Sequence, residues 1–177
     1  MLRFPEERRM TPAIIVLALV TAERLAELWL ARRNTARLLS KGAFEVAPGH
    51  YPAIVLMHAA WLAGLWILGW RQPVVWPWLV AFLALQALRL WVLSALGERW
   101  TTRIIVLPDA PLVSKGPYRF LAHPNYVVVI GEIATLPLSL GLPLFALIFS
   151  VTNAILLTIR VRAESAALKE LRNDASK

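Results

Sequence analysis

An all-α bundle embedded in a membrane is the fold class this sequence predicts, and three observations predict it. Of the 177 residues, 58% are hydrophobic, and the 17% that are charged are too few to cover a soluble domain of this size. Apolar runs of roughly 17–23 residues, the length that crosses a hydrocarbon core, recur along the chain. Short segments rich in proline, glycine and basic residues separate those runs. The length fits a single domain, 1–177, with no room for a separate soluble module. No repeat with a period of 20–50 residues is present.

Five spans follow in order. Residues 1–9 are polar and mixed in charge, and the first span covers 12–31. A cleavable signal peptide is not expected, because the apolar run passes into a charged helix without a small-residue cleavage site. Glu23 and Glu27 stand four apart on that span and share a helical face. Ionisable groups inside a span face a bundle interior or a polar cavity, or else lie near water and pair with arginines. The sequence leaves both readings open. Arg32 to His50 reads as a basic loop with room for an interfacial helix, the second span as 52–70, and Arg71-Gln72-Pro73 as a short turn. The third span, 74–96, carries Gln86 and Arg89 in its second half. The fourth (124–140) and fifth (143–159) are joined by Gly141-Leu142-Pro143, a link so short that the two must pack as a tight antiparallel hairpin.

Charge orients this bundle. With five spans, the loops after spans one and three and the C-terminal tail share one side and carry four, four and five Lys or Arg residues. The opposite side carries Arg3, Arg8, Arg9 and Arg71. The positive-inside rule then places the C-terminus in the cytoplasm. The net charge of +8 is accounted for by cations flanking apolar spans, not by a nucleic-acid surface. Cysteine is absent, which excludes disulfides, thiolate metal sites and a cysteine nucleophile. No metal is expected.

The stretch from Pro111 to Leu136 concentrates turn, aromatic and ionisable residues where a span meets water. Gly116-Pro117 marks a turn, because proline fixes its own φ and moves the preceding residue out of the helical region. Pro124 sits where a first helical turn begins, and there its missing N–H costs nothing. The N–H groups of Asn125, Tyr126 and Val127 are expected to be free at that helix start, a ready acceptor for a carboxylate.

Gly116-Pro117-Tyr118-Arg119 followed by His123-Pro124-x-Tyr126 resembles the signature of the isoprenylcysteine carboxyl methyltransferase family, which are integral-membrane enzymes that use S-adenosylmethionine. Arg160 to Leu168 resembles the family's R-x-x-x-E-E-x-x-L tail. Glu23 to Asn34 and Gly42 to Tyr51 resemble a bacterial branch of it. Two residues depart from the pattern: Ala122 replaces an arginine before His-Pro, and Ser165 replaces the second glutamate.

The resemblance implies that S-adenosylmethionine binds in the C-terminal half, residues 111–172, with the His-Pro segment and Glu164 contributing. Within that frame, His123 and the helix start at Pro124, Asn125 and Tyr126 suit the cofactor carboxylate. Glu164 suits its ammonium or ribose hydroxyls. Backbone groups of Lys115, Gly116 and Tyr118 suit the adenine edge, and Arg119 is the cation nearest the one lost at Ala122. Arg160 can hold an anionic acceptor. A hydroxyl acceptor requires a proton acceptor instead, for which Glu45, His50, His58 and Glu132 are the candidates.

The favoured reaction is O-methylation of a long-chain alkylpyrone or alkyl-phenolic hydroxyl. That lipophilic acceptor is expected to enter from the bilayer of a bacterial inner membrane, with the cofactor site in the cytoplasm. Carboxyl methylation of an isoprenylcysteine-like substrate, a sterol-reductase-like NADPH enzyme and a small transporter are the alternatives. A transporter is disfavoured by ionisable residues that gather toward one face.

Overall fold

The computed structural model describes residues 12–108, 110–111 and 113–174, with side chains as far as Ala166. Arg3, Arg8 and Arg9, and the side chains of Leu168, Lys169, Arg172 and Lys177, lie outside the described residues. The described chain folds into five α-helices and one two-stranded ribbon. Three stretches, Pro48–Gly69, Trp76–Arg99 and Pro143–Ala166, are long and apolar enough to cross a membrane. The chain is therefore all-α in architecture. The five-helix count of the sequence reading holds, while its count of five apolar spans is matched by three.

Helix α1 (Pro12–Ser40) runs through the segment expected to be a basic loop. Residues 32–39 contain no glycine or proline, and Ala31, Asn34 and Leu38 repeat at helical spacing on its buried face. The helix stops at Gly42, whose φ is 87°. There the N–H of Ala43 reaches the carbonyl of Leu38 at 3.0 Å and that of Gly42 reaches Leu39 at 3.1 Å, the paired bonds of a Schellman ending. At roughly 43 Å, α1 is longer than a hydrocarbon core.

Helices α2 (Tyr51–Gly69) and α3 (Trp76–Leu96) cover most of their length with outward-facing apolar side chains such as Leu56, Ile67, Val80 and Leu90. Helix α4 (Pro124–Ser139) is different. At 16 residues, roughly 24 Å, it is short for a span, and it packs between α3 and α5 (Pro143–Asp174). Ile133 and Leu136 on α4 join Leu17 of α1, Trp61 and Leu65 of α2 and Phe82 of α3 in one core. Gly131 permits the close α3–α4 approach, since a Cβ there would lie 2.5 Å from Cδ1 of Leu85. The link at Gly141 (φ 67°) turns α4 directly into α5, and the N–H of Leu142 closes on the carbonyl of Pro137 at 2.9 Å. Helix α5 runs past Ile159, the expected end of the fifth span, and carries Glu164 on its continuation to Asp174.

The ribbon pairs β1 (Phe44–Glu45) with β2 (Ile105–Val106), in register Phe44 with Val106 and Glu45 with Ile105. It was not expected from hydrophobic pattern, because two residues per strand are too few to show alternation. It ties the loop after α1 to the loop after α3. Asn34 does the same on the inner side, donating from Nδ2 to the carbonyls of Gly97 (3.1 Å) and Trp100 (2.9 Å).

The ionisable residues of the helices do not gather at one face. Arg24 and Glu27 of α1, Arg89 of α3 and Glu132 of α4 meet in the interior. Arg89 donates from Nε to Glu132 at 2.7 Å, from Nη2 to the same carboxylate, and from Nη1 to Glu27 at 3.0 Å. Arg24 donates to Glu27 at 2.9 Å and to Glu132 at 3.4 Å, with Glu23 3.5 Å away at the margin. The two readings of Glu23 and Glu27 divide between them: Glu27 is paired with arginines inside the bundle, and Glu23 pairs with Arg24 at its margin. Removing one partner of a buried pair leaves an uncompensated charge. Glu132→Gln is expected to destabilise the fold by about 3–5 kcal/mol, measured as a lowered midpoint of chemical unfolding in detergent micelles. An unchanged midpoint would show that Arg89 finds its stability elsewhere.

Candidate active site

A cavity of about 370 Å³ opens between α1, α2, α4 and α5, within the size range of small-molecule sites. Its lining residues on α2 run from Tyr51 to Leu62, a helical rise of roughly 16 Å. Ile54, Val55 and Leu62 of α2, Val129 of α4 and Leu156 and Leu157 of α5 make the walls apolar. Polar groups sit at its two ends.

The mouth is built by α4, α5 and the loop after α3. Tyr126, in the first turn of α4, donates its hydroxyl to Glu164 of α5. Arg160, one turn before Glu164, donates from Nε to the Tyr126 hydroxyl at 3.3 Å and from Nη1 to the carbonyl of Thr102 at 2.7 Å. Tyr51 shares a hydrogen bond with the Thr102 hydroxyl at 3.0 Å and carries the Arg103 guanidinium over its ring at 4.6 Å. His123 is exposed and makes no side-chain cap for α4; its ring stacks on Tyr126 with centroids 5.0 Å apart. The fold thus brings His123, Tyr126, Arg160 and Glu164 together across 41 residues of sequence, from 123 to 164.

The loop that delivers this group depends on Gly116. Its φ of +60° is strained for any side chain, and a Cβ would lie 2.9 Å from the Cβ of Ala95. The 3-10 turn Gly116–Arg119 that follows buries Pro117 and half-buries Tyr118, leaving Lys115 and Arg119 exposed. Burial, reinforced by the negative charge of Glu164, pushes the Tyr118 phenol up to about 12. It is therefore a neutral hydrogen-bond donor at physiological pH. At the helix start one expectation is corrected: the Tyr126 N–H is bonded to the carbonyl of His123 at 3.1 Å and is not free. Pro124 does open α4, and it is fully buried.

The inner end is floored by Arg24, Glu27 and Arg89, with Trp61 beside them, and His58 lines the wall between the two ends. His58 bonds through Nδ1 to the carbonyl of Ile54 at 2.9 Å. A carbonyl only accepts, so Nδ1 carries the proton and Nε2 of the neutral ring presents a lone pair. The other expected proton acceptors are placed differently. Glu132 is bonded to two guanidiniums and, among the described residues, does not line the cavity. Glu45 is paired with Arg103 at 2.7 Å on the ribbon, and among the described residues neither it nor His50 lines the cavity. Sequence reasoning passed over Tyr51, Trp61, Thr102 and Asn153, all in the cavity wall. Only Asn153, a buried amide in an apolar span, carried a signal that could have found it.

An apolar cavity with a charged and aromatic group at its mouth, in a bundle with helices long and apolar enough to cross a membrane, defines an integral membrane protein with a candidate active site. Residues 78–170 match the model of the isoprenylcysteine carboxyl methyltransferase (ICMT) family. The chain belongs to that family, and it is a membrane methyltransferase of this kind. Membership sets aside the reductase and transporter alternatives. The chain is 40% identical over 162 residues to the uncharacterized protein YpbQ of Bacillus subtilis (strain 168), covering 88% of this chain and 96% of that one. It is also 24% identical to an uncharacterized protein of Haemophilus influenzae, covering 89% and 95%. No solved structure matches.

The glycine at the mouth is open to direct test. Gly116→Ala introduces strain of about 1–2 kcal/mol at that φ, besides the contact with Ala95, and is expected to lower methyl transfer about tenfold or more. Radiolabel transfer in reconstituted vesicles measures this, and a wild-type rate would show that the turn tolerates a side chain.

Proposed function

We propose that the protein transfers the methyl group of S-adenosylmethionine to a hydroxyl oxygen on the polar head of a lipid-tailed acceptor, of the long-chain alkylpyrone or alkyl-phenolic class. The observation that carries this reading is the charge balance of the cavity. Arg24 and Arg89 are answered by Glu27 and Glu132, and Arg160 faces Glu164 through the Tyr126 hydroxyl. A carboxylate acceptor needs a cation to hold it, and these cations are already matched by anions. A neutral head meets no such demand.

The residues at the mouth fit the cofactor. Asn125 has a buried Oδ1 with no protein partner beside the cavity, an acceptor suited to an amine or ribose hydroxyl. Glu164 offers negative charge to the ammonium, and His123 with Arg119 offers donors to the carboxylate. Backbone groups of Lys115, Gly116 and Tyr118 border the adenine position. The bound sulfonium supplies an electrophilic methyl carbon. The chain's own part is to align the acceptor oxygen behind it, exclude water and take the hydroxyl proton. His58, the expected base that lines the cavity, takes that proton on Nε2.

The tail enters from the bilayer. Leu25 and Leu28 of α1 and Val55 and Ala59 of α2 are exposed and also line the cavity, which makes the α1–α2 seam a side door. The proposed arrangement is a bacterial inner-membrane enzyme of five crossings, α1 and α4 included, with the mouth and C-terminus on the cytoplasmic side. The excess of Lys and Arg at that end supports it.

The family's name favours a second reading, carboxyl methylation of an isoprenylcysteine-like substrate. Activity toward a prenylcysteine analogue and toward a long-chain alkylpyrone, in wild type and Arg119→Ala, separates the two. Turnover of the alkylpyrone, little changed without Arg119, is expected; robust prenylcysteine turnover that disappears with Arg119 would reverse the assignment. For the cofactor, His123→Ala is expected to abolish S-adenosylmethionine binding and Glu164→Gln to weaken it about tenfold, by equilibrium binding to folded, purified protein. Undiminished affinity in both would move the cofactor away from this mouth.

A further inference from the structure

The 3-10 turn beside the mouth ends in an apolar tip on the protein surface. Phe120 is 74% exposed, more than any other large apolar side chain among the described residues, and Leu121 next to it is 42% exposed. Among the described residues, neither lines the cavity or joins a hydrophobic core. The turn does not stand above the bundle; it runs back along α3. A Cβ on Gly116 would lie 2.9 Å from the Cβ of Ala95 and 3.3 Å from Nε1 of Trp91, and the Phe120 ring centroid is 6.4 Å from that of Trp91. From Gly116 to Phe120 the chain therefore descends about one helical turn along α3, from Ala95 toward Trp91.

The height of Trp91 decides what covers the tip. Helix α3 lies in the stretch Trp76–Arg99, long and apolar enough to cross a membrane. A hydrocarbon core of about 30 Å takes about twenty residues of helix, and measured from the exposed Trp76 it reaches Leu96, beyond Trp91. A second indole stands at the same level. The bonds of Arg89 to Glu27 and of Asn34 to Gly97 set α1 beside α3 at offsets of 62 and 63 residues, which brings the exposed Trp29 level with Trp91. Arg33 lays its guanidinium over the Trp29 ring at 5.1 Å. Indole rings at one level with cations beside them are the pattern of a membrane–water interface. Phe120 lies on that belt. Lys115 and Arg119 of the same turn are exposed and, among the described residues, form no ion pair. Their side chains are long enough to carry charge into the headgroup layer while the apolar tip sits deeper.

We infer that residues 115–121 form a lipid-binding element: Phe120 and Leu121 enter the acyl boundary of the leaflet at the mouth, and Lys115 and Arg119 bind the headgroups of anionic phospholipids. The turn is then held to the bilayer on its outer side as Gly116 holds it to Ala95 on its inner side. The inference does not depend on which acceptor is methylated.

The chain has no cysteine, so one introduced thiol reports one position. Phe120→Cys and Leu121→Cys are each labelled with a fluorophore on the full chain in lipid nanodiscs. Ser40→Cys, exposed on α1 roughly 16 Å beyond Trp29, is the water-side reference. Quenching by aqueous iodide is compared with quenching by phospholipids that carry a nitroxide high on the acyl chain. Both tip probes are expected to lose the iodide quenching seen at Ser40→Cys and to be quenched by the nitroxide. With the nitroxide on phosphatidylglycerol, about one-fifth of the mole fraction needed with phosphatidylcholine is expected to give equal quenching, the value of one cation at an anionic surface. Lys115→Gln and Arg119→Gln together are expected to remove that difference and keep the depth. Iodide quenching of both tip probes equal to that at Ser40→Cys overturns the insertion. Equal quenching by the two lipids, or a preference that survives the loss of both cations, overturns the headgroup recognition.

Discussion

The buried cluster of Arg24, Glu27, Arg89 and Glu132 is the constraint on which the rest of this bundle depends. In a medium of low dielectric, four charges are tolerated only when their geometry satisfies nearly every donor and acceptor. That condition fixes three helices at once. Arg89 of α3 is bonded to α1 and α4 together, and Arg24 of α1 reaches the same carboxylate of α4. Shifting any of the three by a helical turn would strand a charge. The close α3–α4 approach over Gly131 lies one residue from Glu132, so steric fit and ion pairing set the same register.

The cluster also shapes the cavity. Its charges floor one end, and the exposed apolar residues of the cavity wall lie along the seam of α1 and α2. The opposite end is closed by loops, and these are held from two directions. The ribbon and Asn34 bind the loop after α3 to the end of α1, while Gly116 lets the next turn settle against Ala95. Thr102 then presents its carbonyl to Arg160, which places Tyr126 and Glu164. The mouth is therefore a product of loop anchoring, and the floor a product of helix register.

Much of this was legible in the chain. Composition and run length alone establish a helical membrane protein, because burial of so many apolar residues without a polar coat leaves no other solvent. The turns at Gly116-Pro117 and Gly141-Leu142-Pro143, and the helix start at Pro124, follow from φ restrictions local to those residues. The order of Gly116-Pro117-Tyr118-Arg119, His123-Pro124-x-Tyr126 and the Arg160–Glu164 tail marks the family.

Tertiary structure decided what depends on partners distant in sequence. Glu132 looked like a base in isolation and is a framework anion, because Arg89, 43 residues away, is bonded to it. Residues 32–40 read by charge as a basic loop with room for a separate helix, and they continue α1 because Asn34 and Leu38 are buried and Asn34 finds the carbonyls of Gly97 and Trp100. Helix α4 is short for a span and is a central strut between α3 and α5, a role set by the helices around it. Local sequence determines conformation and solvent through steric and hydrophobic terms that each residue carries with it. Ion pairs and cavities are properties of pairs, and only the fold chooses the pairs.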